Sequence, residues 1–187
     1  MKYRTLGHTD LKMSEIGFGI WTVCTPYWGN TDERDNIYLL HGALDLGINF
    51  FETADTYSLG YGEELIARAF KHQRNNIVIS TKFGHTLEPD ADNHQHGMRL
   101  KDFSASYIRS ACEKSLRRLN TDYIDLYQMH NSCSADMYND ETFETLDRLV
   151  TEGKIRYYGN VPGQDVLRSC NLDDLITSRG LASVQIK

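Results

Sequence analysis

Short apolar runs alternate with longer amphipathic stretches along most of this chain, and that rhythm predicts strands alternating with helices. Residues 49–52 (NFFE), 77–82 (IVISTK) and 123–130 (YIDLYQMH) are dense in Ile, Val, Phe, Tyr and Leu, as buried strands are. Residues 16–19, 155–159 and 183–186 give three more, for six in all. Between them, Thr31 or Asp32 caps a helix that runs to about Leu46, where Gly47 stops it. Further helices are predicted over 62–71, 104–119 and 141–152, with short helical pieces at 165–169 and 173–178. In the 104–119 stretch Ile108, Cys112, Ser115, Leu116 and Leu119 recur at helical spacing. Ahead of all this, residues 3–6 and 12–14 flank the turn Gly7-His8-Thr9-Asp10 and read as a hairpin.

Alternation of this kind implies a parallel sheet. Periodicity alone leaves an open doubly wound sheet and a closed barrel side by side. No third glycine follows Gly17-Phe18-Gly19 nearby, which disfavours a dinucleotide-binding doubly wound domain. The 187 residues suggest one domain, 1–187, with no linker or low-complexity segment.

Composition narrows the partners. With 20 Lys and Arg against 26 Asp and Glu, the net charge of −6 excludes the clustered cations of a general nucleic-acid binder, and Arg117–Arg118 reads as a solvated helix face. No apolar run approaches the ~18 residues of a membrane span, and no apolar segment follows the charged start of the chain. Cys24, Cys112, Cys133 and Cys170 form no C-x-x-C pair, so they read as reduced thiols in a cytoplasmic protein.

Candidate chemistry sits where strands give out. Glu52, Lys82 and His130 close three of the predicted strands, so parallel pairing would gather a carboxylate, an ammonium and an imidazole at one end of the sheet. Tyr57 lies in the loop above Glu52. A phenol beside an ammonium can donate a proton near neutral pH, whereas an isolated one has a pKa of about 10. That is carbonyl-reduction chemistry. Each residue also has a plain reading: packing for one of 11 tyrosines, a structural Lys–Glu pair, a core histidine. A second cluster, His85, His94 and His96 with Asp90 and Asp92, carries a His-x-His pair that can bind zinc. It lies mid-loop in polar sequence, between 84 and 102, and reads as solvated rather than as a metal site.

At these residues the chain resembles the aldo-keto reductases. KYRTLGHTDLKMSEIGFGIW is similar to the family's amino-terminal hairpin and first barrel strand. GINFFETADTYSLGYGEELIARAF resembles the stretch holding the acidic and tyrosine members of its catalytic tetrad, VISTKFG the lysine strand, and SLRRLNTDYIDLYQMH the helix and strand ending in the histidine. GKIRYYG and SVQIK resemble the next two strands.

The resemblance implies an α/β fold of the TIM (β/α)8 type with an amino-terminal hairpin. Such barrels run to about 250 residues, so the six strands imply an incomplete barrel and a truncated form. It also implies an NADP(H)-dependent oxidoreductase acting on carbonyl or sugar substrates, with NAD(H) left open as the cofactor. A non-catalytic remnant or interaction subunit is the other reading. Tyr57 would be the general acid, Lys82 would lower its pKa, Glu52 would hold Lys82, and His130 would orient the substrate oxygen. Glu52 stands where the family usually has Asp. Gly19, Ile20 and Trp21 match the stretch lining the nicotinamide, and Gln185 matches a glutamine that binds its carboxamide. Gly159-Asn160-Val161-Pro162 replaces the family's Gly-Val-Ser-Asn, which leaves Asn160 as a substitute carboxamide partner or part of a plain turn. In the family the last two strand–helix units carry the loops that grip the cofactor's phosphates, so their absence leads to an expectation of weak or no NADP(H) binding, and two open sheet edges to one of self-association.

Overall fold

The computed structural model describes residues 1–25, 32–86 and 100–186. His94, His96, Asp90 and Asp92, and the cap candidate Thr31, lie outside them. Strands β1 (Tyr3–Thr5) and β2 (Lys12–Ser14) pair antiparallel as the hairpin, with Tyr3 opposite Ser14. The remaining strands are β3 (Gly17–Gly19), β4 (Phe50–Glu52), β5 (Val78–Phe83), β6 (Ile124–Ser132), β7 (Ile155–Pro162) and β8 (Ser183–Val184). They form one parallel sheet in which spatial order equals chain order. Each new strand is added on the same side of the last. That is the winding of a strand–helix barrel, not of a doubly wound sheet, whose order reverses at a switch point.

Helices follow the strands: α1 (Trp21–Cys24), α2 (Glu33–Asp45), α3 (Tyr61–Ala69), α4 (Ala105–Leu119), α5 (Ser134–Met137), α6 (Asp140–Thr151), α7 (Gln164–Ser169) and α8 (Leu172–Arg179). Their ends follow local chemistry. The Asp32 carboxylate accepts from the Asp35 amide at 2.8 Å to start α2, and Gly47, at φ +88°, takes the left-handed turn beyond it. Ser104 caps α4 by accepting from the Tyr107 amide, and Asn120, at φ +49°, closes it. Helices α1 and α5 were not predicted, because four residues are too few to show a helical period.

All six residues of β5 are buried, so this strand is covered on both faces. Toward the helices, Phe51, Ile79, Phe83 and Tyr127 pack against Leu65, Ile66, Ile108, Cys112 and Leu146, with the Phe83 and Tyr127 rings stacked 4.3 Å apart. The hairpin lies at the amino ends of the strands, where Leu11 is buried and Asp10 reaches β7. There the buried Asp125 carboxylate accepts from Arg74 (2.7 Å), the Ile79 amide (3.0 Å) and Arg156 (2.9 Å). Arg156 in turn reaches both oxygens of Asp10, at 2.8 and 3.0 Å. Among the described residues no helix is long and apolar enough to cross a membrane.

Candidate active site

Parallel register brings the strand-end residues together. Glu52 pairs across from Ser80, Lys82 from Gln128 and His130 from Val161, so all three leave the sheet at its carboxyl edge. Lys82 is the hub. Its buried Nζ donates to the Thr53 carbonyl at 2.8 Å and to the Tyr57 hydroxyl at 3.0 Å, and forms an ion pair with Glu52 Oε1. The ammonium also lies over the Tyr57 ring, 4.7 Å from its centre. The extra methylene of Glu52, relative to aspartate, thus leaves contact with Lys82 intact.

Tyr57 is delivered by a tight turn. Past β4, Thr53 donates its amide to Ser80 and Asp55 donates to Lys82, which continues the pairing with β5 beyond the strand itself. A single 3₁₀ turn, Tyr57–Gly60, follows. Ser58, Leu59 and Gly60 occupy the left-handed region in succession, at φ +48°, +56° and +95°. Each non-glycine residue there costs about 1–2 kcal/mol. Two contacts hold the turn. The Ser58 hydroxyl donates to the Cys24 carbonyl. Beneath Gly60 lies Arg118, so close that a Cβ would fall 2.4 Å from its Cδ, and only glycine fits. Arg118 is bonded to the fully buried Glu63 at 2.6 Å, and Glu63 accepts from Thr81 at 2.6 Å. Thr81 precedes Lys82, so the turn carrying the phenol and the strand carrying the ammonium are braced on one buried carboxylate.

His130 completes the group from β6. Its ring meets the Tyr57 ring edge-on, with centres 6.1 Å apart. The register slips between His130 and Ser132, where Asn131 adopts φ +56°; such a bulge re-aims the side chain beside it. His85 stands against His130 at 4.8 Å, also edge-on, and Asn131 Nδ2 lies 3.4 Å from His85 Nε2.

The electrostatics differ from the sequence-based expectation. Burial, with a smaller contribution from Cys24, pushes the Tyr57 phenol up to about 12 rather than down. The Lys82 ammonium shares its charge with Glu52, and loss of water around the ring outweighs its pull on the phenol. Tyr57 is therefore a proton donor that stays loaded.

The residues proposed for cofactor contact divide. Gly19 sits opposite Glu52, and a Cβ there would stand in ordinary contact with Glu52 Oε2, at 3.8 Å. Trp21 is 38% exposed and stands at the start of α1. Gln185 comes to the tetrad directly: its Nε2 donates to Glu52 Oε1 at 3.4 Å. Ile20 does not, because its side chain is fully buried in the core. Asn160 is also held elsewhere, accepting from the Ser132 hydroxyl at 2.8 Å and lying 3.2 Å from Met137 Sδ toward α5. Its place inside β7 explains this, since alternate residues of a strand face opposite ways. A cleft of about 780 Å³ opens beside the tetrad, lined in part by Asn131, Val161, Gly163, Arg168 and Gln185. Gln128, buried on β6 and bonded to Gln185 at 3.0 Å, belongs to this site and was not singled out from the sequence. Its signal was a lone amide in an apolar strand, two residues before His130. Among the described residues no group of three or more His, Cys, Asp or Glu could hold a metal ion.

Comparison with known proteins agrees with this geometry. Residues 15–173 match the model of the Aldo/keto reductase family. An uncharacterized oxidoreductase of Bacillus subtilis, YqkF, is 39% identical over 159 residues, which cover 85% of this chain and 48% of YqkF. Among solved structures, the holo form of the aldo-keto reductase AKR11C1 from Bacillus halodurans superposes with a TM-score of 0.78 at 36% identity, over 100% of this chain and 65% of that one. The glycerol dehydrogenase AKR11B4 from Gluconobacter oxydans gives 0.79 at 29% identity, over 98% of this chain and 54% of that one. The chain spans about half the length of the curated relatives it matches.

Proposed function

The chain belongs to the aldo/keto reductase family, and on that premise we propose that it carries the catalytic set of an NADP(H)-dependent oxidoreductase interconverting aldehydes or ketones with alcohols. The observation that carries this reading is the convergence on Lys82 Nζ, which contacts the carboxylate of Glu52 and the phenol of Tyr57 at once, with His130 across the Tyr57 ring. An intact set of this kind argues against a non-catalytic interaction subunit. The name of the glycerol dehydrogenase neighbour supports small polyols and the matching carbonyls as substrates.

Residues for the nicotinamide are present. The Gln185 amide offers both a donor and an acceptor to a carboxamide, and Gly19 places no side chain against Glu52 Oε2. When bound, the nicotinamide supplies or accepts the hydride. Tyr57 then gives its proton to the carbonyl oxygen as negative charge gathers there. A phenol held near 12 still suffices, because an alkoxide is a stronger base than a phenolate, and it arrives protonated at neutral pH. Lys82 stabilises the phenolate left behind, and Glu52 keeps Lys82 in place and charged. His130 donates to the same oxygen and fixes its approach. Four free cysteines are in keeping with a cytoplasmic setting.

Reduction of a simple aldehyde with NADPH tests the reading. Tyr57→Phe keeps the ring and removes the proton, and should lower the rate by about 10²–10⁴-fold. Retention of more than half the rate would remove Tyr57 from its role.

A further inference from the structure

Gln128 makes three hydrogen bonds inside the sheet. It is 2% exposed, on the face of β6 that also carries His130, one layer deeper. Its Nε2 donates to the Ser80 hydroxyl at 2.9 Å and to Gln185 Oε1 at 3.0 Å, and its Oε1 accepts from the Ser183 hydroxyl at 2.9 Å. Both amide hydrogens are thereby used on named partners from β5 and from the residues beyond β8. The backbone around it is shaped to allow this: a Cβ on Gly159 would fall 2.2 Å from Ser183 Oγ and 3.2 Å from Gln128 Oε1.

The consequence falls on Gln185. A free glutamine amide can turn over and exchange its donor with its acceptor. Here the Glu52 carboxylate, which can only accept, draws Gln185 Nε2 at 3.4 Å, and Gln128 meets Gln185 Oε1 from the other side with a donor, so the amide is held in one orientation. A hydrogen-bonded line therefore runs Ser183–Gln128–Gln185–Glu52–Lys82–Tyr57, from the buried interior to the proton donor.

We propose that Gln128 is a positioning residue of the cofactor site, locking the Gln185 amide in the single orientation that meets a nicotinamide carboxamide and tying that amide through Glu52 to Lys82. It touches neither cofactor nor substrate. The inference rests on the function proposed above, since it concerns how the carboxamide of that cofactor is met.

Calorimetric titration with NADP⁺ tests it without turnover. Gln128→Met keeps the shape and loses all three hydrogen bonds, and should weaken binding about tenfold, the size of one to two lost hydrogen bonds. Gln128→Glu keeps the bond from Ser183 and gives up both donors, so it should show the same loss even if the apolar variant folds poorly. Ser183→Ala removes only the far end of the line and should bind like wild type. At saturating cofactor, kcat of the Gln128 variants should stay within about threefold while KM for NADPH rises, the pattern of lost binding rather than lost chemistry. Binding by both Gln128 variants within twofold of wild type would overturn the positioning role and leave the proposed function standing. Equal weakening by Ser183→Ala would overturn it too, because general loosening of the interior would then explain the loss. A wild-type protein that reduces no aldehyde and binds no nicotinamide cofactor would overturn the proposed function together with this inference.

Discussion

At the amino edge of the sheet, Asp125 is surrounded by Arg74, Arg156 and the Ile79 amide, each within 3.0 Å. At the carboxyl edge, Lys82 is just as deeply buried, yet one of its three described partners is the ionisable phenol of Tyr57. Both edges pay the desolvation cost of a buried charge. The amino edge recovers it by closing the charge inside a cluster that ends in the exposed Asp10. The carboxyl edge keeps an ionisable phenol among the partners of its charge, and Gln185, bonded to Glu52, lines the neighbouring cleft. Conserving charge balance while leaving geometry open distinguishes a reactive end from a clamped one, in line with the general division of labour in strand–helix barrels.

Four experiments would break or sharpen this contrast. Joint replacement of Lys82→Met and Glu52→Leu should abolish reduction, by about 10³-fold or more. The same variant should melt no lower than wild type, since replacing a buried ion pair with apolar groups of similar volume is often neutral or stabilising. A large drop in melting temperature would show the carboxyl edge to be structural as well. Asp125→Ala should do the reverse. It orphans the Ile79 amide and removes the carboxylate shared by Arg74 and Arg156, which keep Tyr123 and Asp10 as partners, and chemical denaturation should register a loss of about 1–3 kcal/mol, with the specific activity of the surviving folded fraction unchanged.

Smaller effects probe the carboxyl edge more finely. Glu52→Asp should change the rate by less than about tenfold, and Glu52→Gln should slow it further because Lys82 loses its counter-charge; identical rates for the three proteins would make Glu52 dispensable. Ultraviolet titration should place the Tyr57 phenol near 12 instead of the ordinary 10.0. Because unfolding would release that phenol to ionise at the lower value, its contribution to stability is whole below pH 10.0 and drains away as the pH climbs toward 12. A transition at the ordinary value would mean that Lys82 governs the phenol after all.

Much of this architecture was legible in the sequence because its elements are periodic and its site residues end strands. The apolar runs around Phe51, Ile79 and Leu126 give the sheet, and Glu52, Lys82 and His130 follow at the strand ends. What was not legible depends on which way a side chain leaves its strand, or on neighbours distant in sequence. Asn160 looked like a mouth residue until the pleat of β7 turned it toward α5. Ile20 was placed with Gly19 and Trp21, yet it enters the core. Tyr57 was expected to be acidified by Lys82, a judgement that could not weigh burial against a charge already shared with Glu52. The left-handed run at Ser58 and Leu59 has no local signal beyond Gly60, since what fixes it is Cys24 on one side and Arg118 on the other.

Because each strand of the main sheet pairs with its neighbour in the chain, the sheet can assemble by successive addition of one strand at a time. The hairpin breaks that rule. Its strands meet residues 47–49 early, through Tyr3, Lys12 and Ser14, but Asp10 at its turn reaches Arg156 and Tyr157, nearly 150 residues away, so the turn has no anchor on the sheet until β7 is in place. Its docking carries the largest loop-closure entropy in the chain and should come last. A polypeptide emerging from its amino terminus thus makes early a turn that it can anchor fully only late, and the Asp10 amide, which donates to the Tyr157 hydroxyl, should acquire exchange protection after the amides of β5 and β6.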